Sequence, residues 1–173
     1  MIYRQAKSNE AEAIATLHAK SWQVAYKGIL SDDFLENEVV ENRLKIWTER
    51  FAHPAENEFI CVAVEDEELK GFVCVYGNDD AKWGALIDNL HVLPELKGQG
   101  IGKRLMYEAA KWVSDNYPTP HFYLWVYEDN HQARRFYEKM GGENVESALY
   151  ENPGGGISNT LRYAWRDITL PLK

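Results

Sequence analysis

Apolar residues along the chain fall into alternating helical and strand-like periods. From about Asn9 to Lys27, Ile14, Leu17, Ser21 and Val24 recur at helical spacing and mark an inward stripe. Asn9 followed by Glu12 reads as a capping box, and Gly28 stands where such a helix would stop. A second helical region follows Ser31, with Val40, Leu44, Trp47 and Phe51 on one face, and Pro54 closes it. Two runs dense in β-formers come next, Phe59 to Val64 and Gly71 to Tyr76. They flank Glu65-Asp66-Glu67-Glu68, read as a solvated hairpin tip. A third strand covers Ala85 to Val92. After a glycine-rich turn, a helix runs from about Gly102 to Asn116, with Leu105, Met106, Ala109, Trp112 and Val113 as its apolar stripe. Pro118 and Pro120 break the chain before a strand at Phe122 to Tyr127, and Asn130 opens a short helix through about Met140. The tail reads as a hairpin, with Asn152 to Gly156 as its loop and Thr160 to Arg166 as its return strand. Ile2 and Tyr3 leave room for a strand at the N-terminus. The order helix, helix, β, β, β, helix, β, helix, β, β describes a mixed α/β (α+β) sheet with helices packed on it, and not an alternating doubly wound fold.

Composition narrows the class. The 173 residues suit one domain, 1–173, without a linker or an internal repeat. Hydrophobic residues make up 45% and charged ones 27%, the balance of a globular chain. Cys61 and Cys74 cannot form a disulfide framework or a four-thiolate zinc site, and inside strands they read as buried small hydrophobes. No His pair at i, i+4 with a partner acid appears, so no metal is expected. The N-terminus has no secretory pattern and no segment has the length of a membrane span, which predicts a cytoplasmic protein without membrane partners. The net charge of −8 argues against nucleic-acid binding.

Against that acidic background, one basic segment stands out. Lys97, Lys103 and Arg104 surround Gly98, Gly100 and Gly102, with no acid between Lys97 and Arg104. Glycines let the backbone approach a ligand closely, and the helix beyond the turn adds unpaired N–H groups and a positive dipole end. Strand, glycine turn and helix together suit a phosphate ligand. Neither familiar nucleotide motif fits. A dinucleotide fingerprint would need glycine where Lys103 or Leu105 stands, and a P-loop would need Gly at 97 and Ser or Thr at 104.

Leu90 to Leu105 resembles the acyl-CoA-binding segment of the GNAT superfamily of N-acetyltransferases, whose core pattern is Arg/Gln-x-x-Gly-x-Gly/Ala. Gly100 and Gly102 match it, and Lys97 stands where Arg or Gln is usual. Asn130-His131-Gln132-Ala133-Arg134-Arg135-Phe136-Tyr137-Glu138-Lys139-Met140-Gly141 is similar to the family's Asn-x-x-Ala-x-x-Phe/Leu-Tyr-x-x-x-Gly stretch, with Gly142 where most relatives carry Phe. The two blocks span about Ala85 to Gly142.

The resemblance implies a three-layer fold: a central, mostly antiparallel sheet of about six to seven strands with one splayed parallel pair, flanked by helices. It implies acetyl transfer from acetyl-CoA, as co-substrate, to a primary amine by direct attack in a ternary complex. In that frame Leu90, His91 and Val92 meet the pantetheine arm, with the Val92 N–H facing the oxyanion. Lys97, Gly98, Gln99, Gly100, Ile101, Gly102 and Lys103 hold the pyrophosphate. Asn130, Ala133, Phe136 and Tyr137 complete the cofactor wall, and Tyr137 is the expected general acid. For the base, Trp125 occupies the place of a glutamate used by some relatives. Asp88, His91 and Glu128 compete for the role, Asp88 ahead of the others. Trp22 and Tyr26, four apart on the first helix, share a face and are expected at the acceptor site. The acceptor is expected to be a small-molecule amine, drawn in by the acidic remainder of the chain. A protein N-terminus or lysine, or a non-catalytic acyl-CoA sensor, are the alternatives, and family dimers through terminal strands raise the possibility of a homodimer.

Overall fold

The computed structural model describes residues 1–118 and 120–168. The chain runs β1 (Ile2–Gln5), α1 (Ala11–Ala25), α2 (Val39–Ala52), β2 (Glu58–Glu65), β3 (Glu68–Asp80), β4 (Gly84–Val92), α3 (Ile101–Asn116), β5 (Phe122–Tyr127), α4 (His131–Lys139), β6 (Glu143–Glu151) and β7 (Ile157–Trp165). The seven strands form one sheet in the order β1-β2-β3-β4-β5-β7-β6. All neighbours are antiparallel except β4 and β5. This is the expected mixed α/β architecture with its one parallel pair.

Strand residues alternate between two buried faces. Ile60, Val62, Phe72 and Cys74 pack against Ile14, Leu17 and Trp47 of α1 and α2. Cys61, Ala63, Val73 and Val75 face the opposite way, against Leu105, Met106, Ala109 and Val113 of α3. Burial on both sides explains why β2 and β3 read as continuous apolar runs. The two cysteines therefore lie on opposite faces of the sheet, and burial pushes the Cys61 thiol up to about 12. The acidic tip turns as expected, with Asp66 and Glu67 both at positive φ (52° and 64°). No described helix is long and apolar enough to cross a membrane.

Several local expectations need correction. α1 starts at Ala11 after Glu10, and no Asn9–Glu12 capping box forms. The Glu10 carboxylate instead accepts the Lys7 backbone N–H at 2.7 Å and the Arg4 guanidinium at 2.6 Å, tying β1 to α1. Val24 is 59% exposed, while His18, Ala19 and Trp22 join the buried face. In α2 the inward face is Val39, Arg43 and Trp47, and Val40 and Leu44 are exposed. A π-helical turn, Phe34–Glu38, lies directly before α2. The inward Arg43 carries no hydrophobic signal, so apolar periodicity misses that face. Trp112 is half-buried and stacks on Phe59 at 5.1 Å instead of entering the core. β7 starts at Ile157, earlier than Thr160, and its partner β6 is exposed along most of its length.

Candidate active site

The site begins where the parallel pair fails. β4 and β5 pair only at Ala85–Phe122 and Leu86–Tyr123, and then diverge. On its other side β4 stays with β3 through Gly71–Val92. Leu93 N–H donates to the Lys70 carbonyl at 3.0 Å, which sets the phase of the antiparallel ladder. Bonds in such a ladder alternate, so His91 turns its backbone towards β3, while Leu90 and Val92 turn theirs towards the gap. A cleft of about 550 Å³ opens there, lined by β4, the glycine turn, β5 and α4, with Ser21 and Tyr26 at one end.

The turn is built on two left-handed glycines. Gly98 (φ 85°) and Gly100 (φ 86°) adopt a conformation unfavourable to other residues, and a Cβ on either would point into open space. Gly100 is the N-cap of α3 and no side chain caps that end. The first amides of α3 therefore lack intrahelical acceptors. Lys97 and Lys103 line the cleft beside them, and burial lowers the Lys97 pKa. Gly102 is helical, and a Cβ there would meet Phe136 at an ordinary 3.6 Å, so its conformation does not require glycine.

From the other wall, α4 presents Ala133, Phe136 and Tyr137. The Asn130 side chain accepts the Ala133 N–H at 3.2 Å, capping the helix that carries them. Tyr137 is buried, and burial pushes its phenol above the ordinary tyrosine value, so it stays protonated at neutral pH.

Of the residues singled out in the sequence, Leu90, His91, Val92, Lys97, Gly98, Gly100, Gly102, Lys103, Asn130, Ala133, Phe136, Tyr137 and Tyr26 meet in this cleft. Gln99 and Ile101 are not in its lining, and the Ile101 side chain is buried in the core behind the turn. Trp22 is buried under the Arg43 guanidinium. Arg104 points away from the cleft and pairs with Glu108 at 2.6 Å. Arg135 and Lys139 line the cleft instead, one helical turn apart on α4, a spacing visible in the sequence.

The three candidate bases are differently placed. Asp88 lies outside the lining, its carboxylate paired with Arg50 at 2.9 Å. Glu128 is exposed and accepts from Asn159 at 2.9 Å. His91 is almost wholly enclosed. Its Nδ1 meets Ser21 Oγ at 2.9 Å, its ring lies 4.4 Å from that of His18, and burial lowers its pKa to about 3. The Trp47 indole, which can only donate, bonds His18 Nδ1 at 2.9 Å, so His18 carries its proton on Nε2. Both imidazoles are neutral at physiological pH. Among the described residues no carboxylate lines the cleft, and no group of three or more His, Cys, Asp or Glu is placed to hold a metal ion.

Residues 12–142 match the model of the Acetyltransferase (GNAT) family. The chain belongs to this family. An "Uncharacterized N-acetyltransferase" of Archaeoglobus fulgidus is 28% identical to this GNAT protein over 156 residues, spanning 85% of this chain and 96% of the relative. Among solved structures, the PaiA N-acetyltransferase of Thermoplasma acidophilum in complex with coenzyme A aligns with a TM-score of 0.73 at 21% identity, over 95% of this chain and 98% of that one. The ribosomal-protein-alanine N-acetyltransferase of Brucella melitensis aligns with a TM-score of 0.69 at 14% identity, over 96% and 99%. At such identities the two structures establish the shared GNAT fold alone.

Proposed function

We propose that this GNAT protein acetylates a primary amine of a small molecule, with acetyl-CoA as donor, in a ternary complex. The observation that carries the reading is the continuity of the cleft. Uncapped amides and lysines at its phosphate end lead along the outward backbone of Leu90 and Val92 to the Tyr137 phenol. The open space over Gly98 and Gly100 fits a pyrophosphate pressed against the backbone. When bound, acetyl-CoA supplies a thioester: the amine forms a C–N bond, the C–S bond breaks, and the nitrogen loses a proton as the sulfur gains one.

Each chain residue then has a task. Lys97, Lys103 and the amides from Gly98 to Lys103 hold the phosphates, with Gln99 and Ile101 acting through backbone only. Leu90 and Val92 pair with the pantetheine arm, and the Val92 N–H faces the oxygen on which charge develops. Asn130, Ala133 and Phe136 position the arm from α4. Tyr137 donates a proton to the departing sulfur. Asp88, held by Arg50, acts as a base only through water. Tyr26 contacts the acceptor and Trp22 supports that wall.

The test is release of free CoA thiol from acetyl-CoA by the purified protein with a broad amine panel. Tyr137→Phe is expected to lower kcat by about 100-fold or more while leaving the Kd for acetyl-CoA unchanged. No thiol release with any amine overturns the enzymatic reading in favour of a sensor.

A further inference from the structure

β4 carries one residue more than β3 does opposite it. From Gly71–Val92 to Cys74–Asn89 the two strands pair residue for residue, and beyond Cys74 the pairing resumes at Val75–Ile87. Asp88 is the extra residue, so a β-bulge lies just past the last β4–β5 pair, Leu86–Tyr123. The bulge reverses the phase of the strand. Before it, Ala85 turns its backbone to β5, donating its N–H to the His121 carbonyl at 3.0 Å, and Ala85 and Ile87 pack in the core beneath α3. After it, Val92 lies in that core and Leu90 packs against it. In an uninterrupted strand Ala85, Ile87, Asn89 and His91 would share one face and one backbone direction. The extra residue therefore decides that Leu90 and Val92, and not Asn89 and His91, turn their backbone to the cleft.

Arg50 of α2 holds both residues of this bulge. Its Nη2 donates to the Asp88 carboxylate at 2.9 Å and its Nη1 to the Asn89 side-chain oxygen at 3.3 Å. The Asn89 side-chain amide donates in turn to the Asp88 carbonyl at 2.6 Å. A bulge takes backbone groups out of the ladder, and this bond gives the carbonyl of the extra residue a donor. The guanidinium is itself fixed. It lies 4.6 Å above the Trp47 ring, Nη1 reaches Cys74 Sγ at 3.4 Å, and Nε faces the Glu58 carboxylate at 3.6 Å. Glu58 accepts from the Tyr76 hydroxyl at 2.7 Å. Partners on β2, β3 and β4 thus converge on one planar fork, a geometry that an ammonium group would not reproduce.

We propose that Arg50 is a positioning residue for acetyl transfer: through Asp88 and Asn89 it fixes the β4 bulge, and the bulge aims the Val92 N–H at the thioester carbonyl. The proposal rests on the N-acetyltransferase reading and adds to it the device that sets the oxyanion donor. Arg50 is outside the cleft lining, so its effect passes through the backbone of β4. An oxyanion donor acts by its alignment, so a relaxed bulge slows the reaction without releasing a cofactor whose phosphates rest on the glycine turn.

The test is the carbonyl stretch of acetyl-CoA isotopically labelled at the acetyl carbonyl, read by infrared difference spectroscopy on the bound cofactor without acceptor. Donation from the Val92 N–H lowers this frequency below that of free acetyl-CoA. Arg50→Met and Asn89→Leu are each expected to return it towards the free value. Arg50→Lys, which reaches one of the two acceptors, should recover part of the shift. In thiol-release assays Arg50→Met should lower kcat by about 30-fold, less than the loss of a whole oxyanion donor, with the acetyl-CoA Kd kept within about twofold. A merely structural role would lower stability to urea and leave the stretch unmoved, and an effect through Asp88 as a base would lower kcat and leave the stretch unmoved. Either result overturns the proposal, as does an unshifted carbonyl in the unaltered protein. If Arg50→Met does not fold, Asn89→Leu, which spares the contacts of Arg50 with Glu58, Cys74 and Trp47, decides by the same readings. Failure of the enzymatic reading looks different. With no amine turned over, a lowered stretch that the variants relax still supports the positioning role, whereas absence of acetyl-CoA binding removes that reading and the proposal together.

Discussion

The two ends of the cleft are built from different materials. The end proposed for the cofactor uses backbone: left-handed glycines, the start of α3 without a side-chain cap, and the strand edge released where β4 and β5 part. Its parts are consecutive in the chain or one helix apart. The end proposed for the acceptor uses side chains from separated segments, with Trp22 on α1, Tyr26 at its C-cap, Tyr127 on β5 and Tyr150 on β6. Backbone machinery can be shared by proteins with unlike acceptors, because its chemistry is independent of side-chain identity. Side-chain machinery sets which acceptor enters. A substitution at one end should therefore leave the other end's binding intact, and that separation can be broken.

The largest expected effect lies at the β6–β7 tip. Gly154 has φ 78°, and a Cβ there would sit 2.4 Å from the Phe34 Cβ. Gly154→Ala must lift the hairpin from the π-helical turn, at a cost of about 1–3 kcal/mol from crowding and strain. Denaturant titration should register that loss, and the acceptor KM should rise several-fold, while the acetyl-CoA Kd stays constant. A matching loss of acetyl-CoA affinity would show that the two ends are not separable.

The reciprocal substitution is Gly100→Val. A β-branched residue in the left-handed region costs about 1–2 kcal/mol, and the turn relaxes by rotating its amides out of line. That predicts roughly a 5- to 30-fold rise in the acetyl-CoA Kd with the acceptor KM unchanged. Calorimetry with acetyl-CoA reads the first quantity and thiol-release kinetics the second. Unchanged affinity would remove the turn from the phosphate site.

This division also accounts for what the sequence can disclose. Alternating and helical periods locate β2, β4, β5, α3 and α4 to within about a residue, because both sheet faces are buried and the signal is dense, while β3 (Glu68–Asp80) runs beyond its apolar centre, Gly71 to Tyr76, at both ends. The glycine turn is legible because Gly98 and Gly100 have a conformational reason to be glycine. The acceptor end is not. In α2 the inward face is Val39, Arg43 and Trp47, not the Val40 and Leu44 that the apolar pattern suggests. Arg43 has the look of a surface cation, since nothing local reveals that position 43 faces inward. Asp88 reads as a base until its partner Arg50, 38 residues away, is placed beside it. Periodicity reports which face is apolar, and it is silent about which charges a long-range contact has neutralised.

A smaller effect tests whether the acceptor end is dry. His91 has its pKa lowered from the ordinary 6.5 to about 3, first by burial and then by the charges of Lys97 and Arg43. His18 shifts the same way, through burial and then the charge of His91. Between pH 6.5 and 3 the unfolded chain binds a proton at His91 that the folded chain refuses. Stability therefore rises with pH across that window, and is lost as pH falls through it, by about 1.4 kcal/mol per pH unit for each such histidine. The stability contributed by the neutral imidazole is fully present above pH 6.5. His91→Asn removes one of the two titrating groups, so urea unfolding at pH 7, 6, 5 and 4.5 should give a shallower decline than the unaltered protein by about one histidine's slope. Turnover should show no inflection near pH 6.5 from His91, because its folded form does not titrate there. Parallel unfolding slopes in the two proteins would mean that water or an anion reaches His91 in the folded state. The end proposed for the acceptor would then be wet behind Tyr26.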